Sequence, residues 1–323
     1  MEKGFWEDLK KPILALAPMM DVSDSAFRRM VAGRSSPSVM WTEFVSATGL
    51  GSVGKEFLIK RFLRFQTQER PLVAQLFGNN PDGFCEAAKI IRKLKFDGID
   101  INMGCPEKKI ITQEAGAYLL LHPELARDII LAAKEGAGDL PVSIKIRLGY
   151  NQIDWLNWLG VLLEARPAAL IVHGRTRKEM SKAPTHWDEI GKIAQFVRNR
   201  LPKSEQPLMI GNGDIKTMAE AVGKAKQYNL DGVMIGRAVI GNPWFFNPKR
   251  KTEGVSIVDK LKALLDHTKI FEKTFPDRNF AVIKKHYHAY IGGFIGAKRL
   301  RADLMACGNS KAVRKVIDQF IKQ

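Results

Sequence analysis

Between Ile13 and Pro243 the chain repeats one pattern eight times: a short β-rich apolar run, a glycine, asparagine, proline or polar residue, then a stretch with helical periodicity. The runs fall at residues 13–17, 39–42, 72–76, 98–101, 142–146, 169–172, 208–210 and 232–235. Several are apolar throughout, as strands of a parallel sheet covered on both faces must be. Helical segments at 82–94, 122–137, 187–200 and 217–228 lie between them. Eight β-then-α units in this length predict an α/β fold of the (β/α)8 class, a TIM barrel. The competing doubly wound sheet lacks its glycine fingerprint, because no G-x-G-x-x-G opens a helix after the first strand.

After Pro243 the strand signals stop. Residues 257–273, 280–290, 297–305 and 310–321 have apolar positions three and four apart and predict a small all-helical C-terminal domain. Pro243, Pro248 and Gly254 punctuate the chain between them, giving expected domains at residues 1–246 and 247–323.

Charge divides along the same line. The chain has 51 Lys and Arg against 34 Asp and Glu, a net charge of +17, and from Asn247 onward 17 basic residues face 7 acidic ones. A basic tail attracts phosphate backbones in a salt-dependent way; the alternative is a solubilising face. Apolar residues at 45% and charged residues at 26% exclude disorder. No 18-residue stretch is free of charge and the first twelve residues lack an apolar signal core, so neither a membrane span nor a secretory leader is expected. Cys85, Cys105 and Cys307 share no metal-type spacing and leave one unpaired in any disulfide scheme, which points to free thiols in a reducing cytoplasm.

A barrel builds its active site at the C-terminal ends of its strands. Seven of the eight expected ends carry groups able to bind or react. The first gives Pro18-Met19-Met20, the third Gln75, the fourth Asn102-Met103-Gly104-Cys105-Pro106, and the fifth Lys145-Ile146-Arg147. The sixth gives His173-Gly174-Arg175-Thr176-Arg177, the seventh Asn212-Gly213-Asp214, and the eighth Gly236-Arg237. The last two ends have the glycine room and the cation of a phosphate site, although Gly-Asn-Gly-Asp alone reads equally as a turn. Gln75 and His173 can hydrogen-bond a polar ring edge, and each alone could be a satisfied rim residue. Cys105 stands in a Gly-Cys-Pro turn, where a thiol of ordinary pKa keeps its proton at neutral pH and can donate it. Cys85 and Cys307 lie within helical patterns and read as structural.

Together these residues resemble the tRNA-dihydrouridine synthase family. The matching pieces include Ala17-Pro18-Met19 with Ser25-Ala26-Phe27-Arg28, Thr42-Glu43-Phe44, Gln75-Leu76-Phe77-Gly78, Asp100 through Pro106 with Gly116-Ala117, and Lys145-Ile146-Arg147. They continue in His173 through Thr176, Asn212 through Ile215, Ile235 through Ala238, Asn242-Pro243-Trp244, Lys285-His286, and Gly296-Ala297-Lys298 with Leu300-Arg301. Met20-Asp21, where a small residue and glycine are frequent, and Glu107 after Cys-Pro depart from the pattern.

The resemblance implies a flavin enzyme that reduces one uridine of tRNA to 5,6-dihydrouridine with tightly bound FMN, which NADPH recharges. The flavin hydride would go to uracil C6 and the proton of Cys105 to C5. Pro18, Met19, Met20, Gln75, Lys145, His173, Asn212, Gly213, Asp214, Gly236 and Arg237 would hold the cofactor. Asn102, Arg175, Arg177, Lys178, Lys284, Lys285, Lys298, Arg299 and Arg301 would face the tRNA, whose target base must be turned out to reach the cavity. A cytoplasmic monomer with no protein partner is expected. Two rivals remain at this point: another FMN barrel oxidoreductase of the dihydroorotate dehydrogenase type, and a non-catalytic tRNA-binding protein on a barrel scaffold.

Overall fold

The computed structural model describes residues 3–249 and 254–322; residues 250–253, part of the expected interdomain stretch, lie outside the described residues, as do the chain ends. The nine strands among the described residues all pair in parallel: β1 (Ile13–Leu16), β2 (Val39–Trp41), β3 (Val45–Ser46), β4 (Leu72–Phe77), β5 (Gly98–Met103), β6 (Val142–Arg147), β7 (Ala169–His173), β8 (Leu208–Asn212) and β9 (Gly232–Ile235). Their order is β2-β1-β9-β8-β7-β6-β5-β4, and β2 also pairs with β4, which closes an eight-stranded barrel. The two-residue β3 extends the wall beside β4 after the Thr42-Glu43-Phe44 break, a strand too short to leave a periodic signal. Among the helices between strands, Trp187–Arg200 has the expected ends, and Pro81–Lys93, Pro123–Ala137 and Met218–Gln227 differ by one residue at one or both.

Successive strand residues alternate between two environments. Leu16, Leu76, Ile99, Ile101, Ile144, Ile146, Leu170 and Val172 face the surrounding helices. Ile13, Ala15, Val39, Trp41, Val73, Ala169, Ile171, Leu208, Ile210 and Met234 fill the barrel axis. Trp6, on a short 3-10 turn (Gly4–Asp8), closes the N-terminal end of that axis, 1% exposed and with its ring 5.8 Å from Trp41. This plug stands in a charged segment that gave no sequence signal.

The tail is helical: Ile257–Thr274, then a 3-10 turn Phe280–His286 running into Tyr287–Tyr290, then Ala297–Ala306 and Ser310–Ile321. The single helix expected at 280–290 is thus a 3-10 segment with one α-turn, started by the Asn279 side chain accepting from the Ala281 N–H. Tail and barrel share a core, since Ala26 and Met30 of the helix Ser25–Ala32, and Trp244, pack with Leu261, Leu264, Phe271 and Tyr290. Polar ties join the same faces: Arg29 to Thr274 (2.8 Å), Arg34 to Asp266 (2.6 Å) and Arg278 to Asp24 (3.1 Å).

Candidate active site

The inward positions that are apolar near the N-terminal end of the barrel become polar toward its C-terminal end. With a period of two, β4 supplies Gln75, β5 Asp100 and Asn102, β6 Ser143, Lys145 and Arg147, β7 His173, and β8 Asn212. Register sets them side by side: Gln75 opposite Asp100, Asn102 opposite Lys145, Arg147 opposite His173, and His173 opposite Asn212. Above them opens a cavity of about 980 Å³, with Pro18, Met19, Cys105, Gly213, Asp214, Gly236 and Arg237 in its wall beside Gln75, Asn102, Lys145, Arg147, His173 and Arg175. Its size and mixed wall suit a ring-bearing ligand.

Cys105 is held from several sides. Its own N–H and that of Gly104 donate to Asn102 Oδ1 at 2.9 and 3.1 Å, Arg147 Nε donates to the Gly104 carbonyl at 2.6 Å, and Ala117 N–H donates to the Cys105 carbonyl at 3.1 Å. Gly116 makes the last of these bonds possible. Its φ is +65°, and a Cβ there would sit 2.9 Å from the Cys105 carbonyl oxygen. The side chain packs with Phe44, Ile110 and Ala115. Burial pushes the Cys105 thiol up, assisted by the charge of Glu107 and opposed by Arg147 and Lys145. The thiol therefore keeps its proton at neutral pH, as a donor must.

Burial and the neighbouring Arg147 bring Lys145 down to about 8, with Asp100 and Cys105 acting in the other direction, so at pH 7 it is mostly a cation. His173 is held well below its ordinary value by burial and by Lys145, Arg147, Arg175 and Arg237, which keeps the imidazole neutral. Arg147 spends its fork on backbone: besides Gly104 it donates to the Thr176 and Met180 carbonyls, both at 2.9 Å. It ties the Cys105 turn to the loop after β7.

The far side of the cavity has the chemistry of an anion site. Asp214 pairs with both Arg175 and Arg237, and Thr185 Oγ1 donates to it at 3.1 Å. Burial would raise this carboxyl, but the hydrogen bond and charge of Arg175 hold it below its usual range. Two arginines against one carboxylate leave a net positive charge, and the side chain of Arg237 is 64% exposed. Gly213, in the cavity wall, has φ +145°, and any Cβ there would overlap the Thr185 side chain, so the position requires glycine.

The structure redistributes several expected residues. Met20 is not in the cavity wall; it packs against the Phe44–Cys105 cluster. Arg175, expected on tRNA, is 2% exposed, donates to the Ala183 carbonyl at 2.6 Å and pairs with Asp214 in the cavity wall. Asn102 is committed to Gln75 and the Cys105 turn. Asn212 Nδ2 donates to the Met234 carbonyl at 2.8 Å. Arg177 is half-buried over the Tyr150 ring and Lys178 is exposed. In the tail, Lys284 donates to the Met305 carbonyl at 2.6 Å and Arg301 to His288 Nδ1 at 3.0 Å, while Lys285, Lys298 and Arg299 are exposed. None of these tail residues is in the cavity wall. The sequence pattern gives Arg147 and Asp100 no role of their own; their i±2 spacing from Lys145 and Asn102 is the signal that puts them inside.

The sequence matches the family profile described as dihydrouridine synthase over residues 15–323. It is 37% identical over 327 residues to a probable tRNA-dihydrouridine synthase of Staphylococcus aureus, covering 100% of this chain and 97% of that one. It is 35% identical over 322 residues to a probable tRNA-dihydrouridine synthase 2 of Bacillus subtilis, covering 99% and 97%. Among solved structures, histamine dehydrogenase from a Rhizobium species aligns with a TM-score of 0.52 at 13% identity, over 97% of this chain and 63% of that one. The 6-hydroxypseudooxynicotine amine oxidase of Pseudomonas geniculata aligns at 0.53 and 12%, over 73% of this chain and 46% of that one. These two likenesses speak to the barrel alone. A closed parallel barrel, the Cys105 turn and the full-length match lead to one conclusion: the chain belongs to the dihydrouridine synthase family.

Proposed function

We propose that the chain is a cytoplasmic, monomeric, FMN-dependent tRNA-dihydrouridine synthase that reduces a uridine of tRNA to 5,6-dihydrouridine and takes its electrons from NADPH. The observation that carries this reading is a protonated, buried thiol sharing one cavity with a cationic lysine and a neutral histidine. The wall fits a flavin: Lys145, Gln75 and His173 suit the ring system, and Gly213, Gly236 and Arg237, backed by Asp214 and Arg175, suit a ribityl phosphate. When bound and reduced, that cofactor supplies the hydride that reaches uracil C6. Cys105 gives its Sγ proton to C5 of the same base, and its raised pKa keeps that proton available through neutral pH. Lys145 provides positive charge where negative charge accumulates. Lys178, Lys285, Lys298 and Arg299 are exposed cations suited to tRNA phosphates, with Arg177, Lys284 and Arg301 beside them. Asp214, Arg175 and the committed amide of Asn102 act from within the site rather than on the tRNA backbone.

The test is spectroscopic. The purified protein should be yellow, bleached by NADPH, and reoxidised under nitrogen faster by unmodified tRNA than by orotate. Faster reoxidation by orotate would move the chain to the dihydroorotate class of reaction, and a colourless protein that binds tRNA would leave only the binding reading.

A further inference from the structure

Asp100 lies one layer below the cavity, fully buried on β5 and absent from the wall. Both of its oxygens accept hydrogen bonds, Oδ2 from Gln75 Nε2 at 2.7 Å and Oδ1 from the Ser143 hydroxyl at 2.6 Å. Gln75 in turn accepts at Oε1 from Asn102 Nδ2 at 3.0 Å. Asn102 Oδ1 then accepts the Gly104 and Cys105 N–H groups. An amide side chain can be turned either way round, and the two ends of this chain decide which way. At one end stands a carboxylate that can only accept; at the other stand backbone N–H groups that can only donate. Reversing either amide would set donor against donor at the turn, or acceptor against acceptor at Asp100, inside a buried site where such a mismatch is costly.

We propose that Asp100 is a positioning residue that fixes the donor–acceptor direction of the Gln75–Asn102 chain and thereby clamps the Cys105 turn. It touches neither substrate nor cofactor and holds the turn through Gln75 and Asn102, while its charge separately supports that of Lys145. The proposal deepens the reading of Cys105 as the acid, but the clamp itself is visible without tRNA or turnover.

Two variants separate direction from charge. In Asp100→Asn the side-chain oxygen still accepts from Gln75, and its NH2 can donate to Ser143, whose proton turns to the Ile99 carbonyl already 3.2 Å away. Asp100→Leu keeps similar volume and removes the acceptor. The readout is iodoacetamide alkylation of the purified holoprotein, with peptide mass mapping to resolve Cys105 from Cys85 and Cys307. Asp100→Leu should raise the Cys105 alkylation rate about tenfold by freeing the turn, and slow tRNA-dependent flavin reoxidation; Asp100→Asn, which also withdraws charge from beside Lys145, should stay within about threefold of wild type in alkylation, the readout that decides the clamp. Equal alkylation defects in the two variants would mean that charge matters and direction does not, overturning the proposal, as would wild-type alkylation in a folded Asp100→Leu. Should Asp100→Leu fail to fold, Gln75→Met breaks the chain one link further on. Faster Cys105 alkylation there supports the clamp, and a wild-type rate overturns it. Loss of dihydrouridine formation with alkylation unchanged would count against the clamp alone, leaving the assigned reaction standing.

Discussion

The lower and upper halves of the barrel interior are built from the same strands at the same inward-facing register, yet they hold opposite chemistry. Below, Ile13, Val39, Val73, Ala169 and Ile171 close around Trp41 under the Trp6 plug. Above, Gln75, Asn102, Lys145, His173 and Asn212 stand two or four residues further along those strands or their neighbours. The lower half gains its stability from apolar area withdrawn from water. In the upper half, burial costs free energy, which hydrogen bonds and opposed charges must offset; the shifts of Lys145, His173 and Asp100 record that cost. Within one barrel the lower half holds the fold and the upper half holds the chemistry.

If that division is right, mutations in the two halves should separate stability from activity. Trp6→Ala has the largest expected effect on folding: a fully buried indole is removed from the plug, costing about 3–5 kcal/mol in chemical denaturation. The flavin spectrum and the turnover per folded molecule should stay as they were. An activity loss larger than the unfolded fraction would join the two halves. In the upper half, Arg175→Gln leaves Asp214 facing Arg237 alone. It should raise the flavin dissociation constant about tenfold, or ~1.4 kcal/mol, by fluorescence titration, with little change in melting temperature. Unchanged flavin affinity would remove the anion site from that corner.

The pH dependence sharpens the same contrast. Since Lys145 is brought down to about 8 and burial raises the Cys105 thiol, the rate of flavin reoxidation by tRNA should hold through pH 7, fall as Lys145 loses its charge near pH 8, and fall again at more alkaline pH as the Sγ proton leaves. A fall centred below pH 7 would fit neither group and would call for a depressed thiol and a different role. The smallest effect belongs to the tail. Replacing Lys298, Arg299 and Arg301 together with alanine should weaken tRNA binding severalfold and lower its salt slope by about one for each phosphate no longer neutralised, with NADPH-driven flavin reduction unchanged. Affinity that keeps its salt dependence would return this charge to solubility.

The division also explains what the sequence makes legible. The eight strands are legible because apolar runs bounded by turn residues fix where each begins; all but the last end one or two residues away from the run, several because a polar inward residue such as Asn102, Arg147, His173 or Asn212 extends the strand. The helix Trp187–Arg200 is legible because its apolar stripe runs from Trp187 to Val197, within one turn of its end. Cys105, Lys145 and His173 are legible because strand ends in a barrel point to one mouth. Trp6 is not, since one tryptophan among charges has no period, and neither is the two-residue β3. Arg175 shows where the pattern stops: once a strand ends, alternation no longer says which way a side chain points, and only the fold shows it buried against Asp214 in the cavity wall. Asp21 illustrates the converse. It takes φ +60° at a position where the resemblance anticipates glycine, and its carboxylate lies 3.3 Å from Arg61 and 4.0 Å from Arg278, joining the rim to the tail through an interaction that sequence spacing does not contain.

The most direct test is a single turnover of Cys105→Ala. Reduced by NADPH and mixed anaerobically with unmodified tRNA, the variant should retain its flavin and its bleaching, yet form dihydrouridine at least about a hundredfold more slowly than wild type. Dihydrouridine at the wild-type rate would mean that the proton comes from elsewhere, and the thiol at the barrel mouth would lose the role assigned to it.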